Sequence, residues 1–313
     1  MEQLNYIVKR VLQIVPVLFF VTILIFVMVR LIPGDPASLM LGDKATPELI
    51  KQVQERMGLD KPVYVQYLIY LRNLLSFDLG NSLLYIVPVS ELLSKRMVVT
   101  LSLTVMAAFF VVIISFPLGY LAGKRKDKLS DQLIRTSALV ALSMPQFWIG
   151  ILFLLLFGLK LHWLPVGGWG QDFWGHVRSL ILPAFTEALA TSALTVRNLR
   201  NNVVDVLRSD YVDFARSKGL RAKVVRSRHI VRNALVSTVT LLALRIGGML
   251  GGAVIIETVF ALPGVGSLMV QSVFSRDYAV VQAVVFVFAA LVLVVNLITD
   301  VSYSFLDPRV KLE

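Results

Sequence analysis

Long apolar runs alternate with shorter polar intervals along this chain. The runs are Val11–Val29, Val98–Ala122, Leu133–Leu159, Ser179–Val196, Leu235–Ile256 and Ala279–Leu297. A helix rises about 1.5 Å per residue, so each run suffices for a hydrocarbon core of about 30 Å. The pattern predicts an all-α integral membrane protein with six transmembrane helices. Lys9 and Arg10 precede the first run, and no small-residue cleavage site follows it. That reads as an uncleaved first span with a cytosolic N-terminus.

The polar intervals set the orientation. From Leu31 to Met97 the cations (Lys44, Lys51, Arg56, Lys61, Arg72, Lys95, Arg96) equal the anions in number (Asp35, Asp43, Glu48, Glu55, Asp60, Asp78, Glu91). A segment without net charge is expected outside. Thr46-Pro47-Glu48 is a helix-start signal, and Thr46–Met57 and Val63–Leu75 read as helices of a small extracytoplasmic region, residues 32–97. A basic turn follows the second run (Lys124, Arg125, Lys126 and Lys128 against Asp127), as expected of the cytosolic side. Lys160–Arg178 is an outer loop whose Trp163, Trp169 and Trp174 are expected as interfacial anchors. Glu257–Tyr278 is too broken to span and suits an outer loop with a short helix along the bundle. Both termini then lie in the cytosol. The chain divides into the first span (1–31), the outer region (32–97) and a five-helix core (98–313).

Composition agrees with a membrane protein: 313 residues, 57% hydrophobic and 16% charged, with a mean hydropathy of +0.75. Cysteine is absent, which excludes disulfide, iron–sulfur and thiolate–zinc sites. The only histidines are His162, His176 and His229, far apart in sequence. The net charge of +11 flanks apolar runs, so topology accounts for it better than nucleic-acid binding.

The longest polar interval of the second half is Leu207–Leu235. Val203, Leu207, Tyr211 and Phe214 recur at helical spacing, and Lys218-Gly219 reads as the helix end. A second helix is expected over Ala222–Asn233. Two short helices meeting at a glycine would make a knob suited to bind another protein, although such a basic loop could also serve topology alone.

This stretch resembles the cytoplasmic "EAA" coupling loop of ABC-importer permeases, in the form found in the dipeptide/oligopeptide/nickel transport family. The matching residues are Asp210-Tyr211-Val212, Ala215-Arg216, Lys218-Gly219-Leu220, Arg228-His229 and Arg232-Asn233-Ala234. The general triplet stands as Asp213-Phe214-Ala215, and the later I-x-L-P element is absent, departures that fit the peptide subgroup. PGDP at Pro33–Pro36, the GLDKPVYVQYL run from Gly58 and the DLGNSL run from Asp78 are similar to further stretches of that family. The resemblance covers nearly the whole chain. It implies a type I ABC-importer permease fold with an extracytoplasmic helical insertion after the first span, in a bacterial inner membrane. It implies a coupling loop over 199–234, a second homologous permease, two cytoplasmic ATPases that bind ATP and Mg, and an extracytoplasmic binding protein. The implied substrates are dipeptides or oligopeptides, with nickel chelates, glutathione or opines as alternatives. No G-x-x-x-x-G-K-[ST] pattern occurs, so the chain itself is not expected to bind or hydrolyse ATP.

Within the runs, a few residues are candidates for the path. Pro145, Gln146 and Trp148 interrupt the third run, where a proline either kinks a packed helix or opens backbone to a cavity. Glu187, Arg245 and Glu257 are charges at membrane depth, and such charges are costly unless paired or functional. Counting residues places Glu187 and Arg245 at similar depth on neighbouring spans. A direct pair is one reading. Separate wet cavities, contact of Arg245 with the partner permease, or an Arg245 that meets a substrate carboxylate are the others. Gly247/Gly251 and Gly248/Gly252 have the spacing that allows close helix approach. An ion-coupled secondary transporter would want an inverted repeat beside these acids, and none is evident. An intramembrane enzyme would want a nucleophile with its base, and the serines show no such partner.

Overall fold

The computed structural model of the chain describes residues 2–31, 37–38, 45–82 and 84–306. The PGDP turn and the tail beyond residue 306 lie outside the described residues. Among these residues the fold is helical throughout, with one isolated β-bridge, Asn81–Pro88.

The elements in order are α1 (Glu2–Leu31), α2 (Pro47–Met57), α3 (Val63–Leu75), α4 (Val89–Lys124), α5 (Leu129–Ser143) and α6 (Gln146–Lys160). Then come α7 (Phe173–Leu207), α8 (Asp210–Ser217), α9 (Ala222–Val259), α10 (Val265–Phe274) and α11 (Tyr278–Leu306). Helices α1, α4, α7, α9 and α11 are each long and apolar enough to cross a membrane.

The third run is not one kinked helix. α5 and α6 meet at an angle of 103°. Met144 before the proline is extended, and Pro145 serves as the N-cap of α6, where a missing N–H is no loss. The pair still crosses from face to face, because it follows α7 from end to end. Asp131 at the start of α5 holds Arg200, the Cβ position of Gly150 in α6 lies 3.5 Å from Thr186, and the Trp163 carbonyl beyond α6 accepts from Arg178. α5 and α6 therefore form a broken span, and six spans result.

α7 is the centre of the bundle. Its buried face (Leu182, Ala188, Thr195, Leu199, Val203) lies against Leu103, Ala107, Val111 and Gly119 of α4. The crossing is close because α4 carries glycines: a Cβ at Gly119 would stand 2.9 Å from that of Leu199, and one at Gly123 2.6 Å from that of Val203. At the same end Asp131, fully buried, accepts from Arg200 Nη2 (2.7 Å) and Nε (3.2 Å) and from the Asp127 amide (2.9 Å). This fork pins the basic turn to α7.

The first span packs chiefly on the last, through Ile25, Val29 and Val281. α2 begins at Thr46, whose hydroxyl accepts from the Leu49 amide, and ends at left-handed Gly58. α3 leans on α1, with Tyr67 edge-on to Phe26 at 5.0 Å and bonded to the Thr22 hydroxyl. Of the outer tryptophans, Trp163 and Trp174 are exposed. Trp169 differs from the expectation of an anchor: it packs against the bundle core and stacks on His176 at 4.1 Å.

Candidate functional site

Two places in the fold gather the candidate residues. The first is the knob at the basic end of the bundle. α8 carries Asp210, Tyr211, Asp213, Phe214 and Ala215. It buries Val212 and Ala215 against Leu199 and Val203 of α7 and against Val225, Ile230 and Ala234 of α9. The chain turns at Gly219, φ +74°, a conformation that side chains with a Cβ rarely adopt. The Gly219 and Leu220 amides close the end of α8 onto the carbonyls of Arg216 and Ala215. Asn233 joins the two sides, donating to the Tyr211 hydroxyl (3.0 Å) and to the His229 carbonyl (2.9 Å).

The expected second short helix, Ala222–Asn233, does not end there. It continues through a π-helical turn, Val225–Val231, into the fifth span as the single helix α9. Hydropathy marks only the lipid-crossing part, whereas the backbone ladder persists into water. Outward, the knob offers Phe214 (61% exposed), Tyr211 and Leu220, with Lys218 Nζ 4.5 Å above the Phe214 ring. Arg228 and Arg232 are exposed beside them, and His229 is half-buried. The knob thus presents an apolar tip in a cationic rim.

The second place lies at membrane depth, between the α5–α6 break, α7 and α9. Glu187 of α7 is 1% exposed, and neither carboxyl oxygen has a hydrogen-bond partner. The Glu187–Arg245 pair does not form. Arg245 is exposed on α9, while Glu187 lies level with Gly252, two turns further along. A Cβ at Gly252 would stand 3.7 Å from Glu187 Oε1 and 3.7 Å from Gln146 Oε1. Pro145 and Trp148 are exposed at the break, and Gln146 is half-buried.

Glu257 has a different environment. It is fully buried near the end of α9, and it accepts from Thr100 Oγ1 (2.6 Å) and the Ser267 amide (2.9 Å). Thr100 in turn accepts from the Val265 amide (2.9 Å). The carboxylate therefore caps the N-terminus of α10. Gly264 makes room for it, since a Cβ there would fall 2.2 Å from Glu257 Cδ.

Likeness to known proteins decides the family. The family described as binding-protein-dependent transport system inner membrane component matches residues 115–312, and its N-terminal companion matches residues 3–104. A putative peptide transport system permease protein of Brucella abortus is 40% identical over 97% of this chain and 98% of its own length. The chain belongs to the inner-membrane components of binding-protein-dependent transport systems. The glutathione transport system permease protein GsiC of Escherichia coli is 38% identical over 98% of this chain and 99% of its own length.

Two solved structures share the fold. The MetNI methionine ABC transporter matches with a TM-score of 0.57 at 17% identity, over 70% of this chain and 97% of that one. An amino acid ABC transporter matches with a TM-score of 0.54 at 15% identity, over 69% and 94%. The permease therefore has the type I ABC-importer fold, is a multi-pass inner-membrane protein, and is the permease subunit of an ABC importer. Sequence reasoning missed Thr100 and Gly264 as partners of Glu257, the Asp131–Arg200 fork, and Gly252 as the neighbour of Glu187. The Gly264-x-Gly266 pair after Pro263 was a visible turn signal. Nothing local marks Thr100.

Proposed function

We propose that this permease forms half of a translocation path for short peptides and couples it to ATP hydrolysis through the α8 knob. The similarity to permeases named for peptide and glutathione transport, over nearly the full length of both chains, carries this reading. Glutathione is itself a tripeptide, so the two names share one substrate chemistry.

The complex would contain a second homologous permease, two cytoplasmic ATPases that hold ATP and Mg, and an extracytoplasmic binding protein. Nucleotide-driven motion of an ATPase would reach the spans through Tyr211, Phe214, Lys218 and Gly219. The permease itself would hold no nucleotide. ATP-driven uptake of di- and tripeptides by the reconstituted complex tests the substrate. Nickel uptake without peptide uptake would reject it.

Orientation follows from the charge distribution. Lys124 of the basic turn and Arg216, Lys223 and Arg226 of the knob line one groove of about 590 Å³, so the cationic segments share a face. α3 lies at the other end, beside Phe26 and Arg30. The knob and both termini would be cytosolic. The chain has no native cysteine, so single cysteines report cleanly. A cysteine at exposed Ser76 is expected to react with an impermeant thiol reagent on intact cells, and one at exposed Ser217 only after permeabilisation. The reverse pattern would invert the topology.

A further inference from the structure

Glu187 is the buried charged group that the fold leaves unsatisfied. Every other buried carboxylate among the described residues has donors: Asp131 has Arg200, Glu257 has Thr100 and the Ser267 amide, and Asp277 has the Ser82 hydroxyl and the Leu84 amide. Glu187 has none for either oxygen. A buried acid without a partner is expensive, and in a native protein it calls for an explanation.

Its surroundings supply one. Glu187 Oε1 lies 3.7 Å from the position a Cβ would take at Gly252. Gly252 is half-buried, whereas Gly248 and Gly251 on the same side of α9 are exposed, with nothing within 4 Å of their Cβ positions. The break at Pro145 and Trp148 is exposed, and Gln146 places its Oε1 3.7 Å from the same Cβ position. Two acceptor oxygens at one spot fit a group that brings several N–H donors and a positive charge. Arg245 lies two turns nearer the knob on the same face of α9, exposed, about 10 Å along the axis. An extended chain of three residues spans about 10 Å as well.

We infer that Glu187, reached past Gly252 and Gln146, is the carboxylate that receives the ammonium group of the substrate, with Arg245 placed for its carboxylate. This assigns short zwitterionic peptides to the path, and it rests on the peptide-import reading above. An N-blocked peptide lacks the ammonium and loses the site.

The complete complex in proteoliposomes, with its ATPases and binding protein, tests this by uptake of labelled trialanine. Glu187→Gln is expected to lower uptake at least about tenfold, the loss of one charge-assisted hydrogen bond. Gly252→Leu leaves the carboxylate in place but covers it, and is expected to lower uptake similarly. A wild-type rate in either variant overturns the proposal, and Gly252→Leu decides if Glu187→Gln does not assemble. A purely structural role would lower yield without altering chemistry at the site, so carbodiimide labelling of Glu187 in the wild-type complex is read by mass spectrometry. Trialanine should slow the labelling and N-acetyl-trialanine should not; equal effects overturn the proposal. A wild-type complex that takes up neither trialanine nor glutathione rejects the peptide reading instead. Guanidinium, a cation with N–H donors that carbodiimide does not couple, would then still slow labelling of a cation site, and failure to do so would reject that site too.

Discussion

Glu257→Ala is expected to unfold in detergent at a markedly lower temperature than the native permease. The Ser267 amide would lose its acceptor inside a buried interface. An orphaned buried donor costs about 1–3 kcal/mol. Thr100 loses its acceptor as well, but its hydroxyl has a backbone alternative one turn back, as Thr104 already uses the Thr100 carbonyl. Glu257→Gln should recover only part of the loss, because its amide would set a donor against a donor. Gly264→Ala should act like Glu257→Ala, since the added Cβ collides with a carboxyl that its bonds hold in place. An unchanged midpoint in Glu257→Ala would show that α10 is held by its apolar face alone, through Val265 and Leu268.

Gly219→Val is expected to insert and assemble normally but to hydrolyse ATP without matching transport. Nothing lies within 4 Å of the added Cβ, so the penalty is backbone strain alone. For a side chain in the left-handed region it is about 1–2 kcal/mol, which favours a displaced α8 by a factor of about 5–30. Val212 and Ala215 would still anchor the knob, so global stability should change little. Gly219→Asn tolerates this conformation better and should stay coupled. The ratio of peptide imported to ATP hydrolysed measures the effect. A normal ratio in the valine variant would remove the knob from the coupling route.

The spans were legible because hydropathy is a local property, and a run such as Val98–Ala122 declares itself without reference to its neighbours. The caps of α2 were legible for the same reason: Thr46-Pro47 and Gly58 act within one turn. Register between helices was not legible. Counting from the ends of the apolar runs set Glu187 beside Arg245, but packing slides α7 against α9 until Glu187 meets Gly252. A hydropathy window locates the end of a span only to within a turn or two, and α7 and α9 both run well past their apolar parts. The break at Pro145 was visible as a proline, while its angle of 103° depends on how α6 packs against α7 and α9. The knob residues were legible through resemblance, and the continuity of α9 beneath them was not, because a basic helix and a basic loop have the same composition.

That continuity gives the permease a mechanical arm. α9 runs without interruption from Ala222 beneath the knob to Val259, about 57 Å at helical rise. Near its far end Glu257 grips α10, and its near end carries the apolar tip of α8. With the far end as fulcrum, a tilt of about 5° would give the near end a stroke of about 5 Å along that length. The π-helical turn at Val225–Val231 sits close to the knob end, where local give would cost the least travel beyond it. Gly252 lies only five residues from Glu257, so the same tilt hardly moves the wall beside Glu187. Power would enter where displacement is large and arrive where it is small.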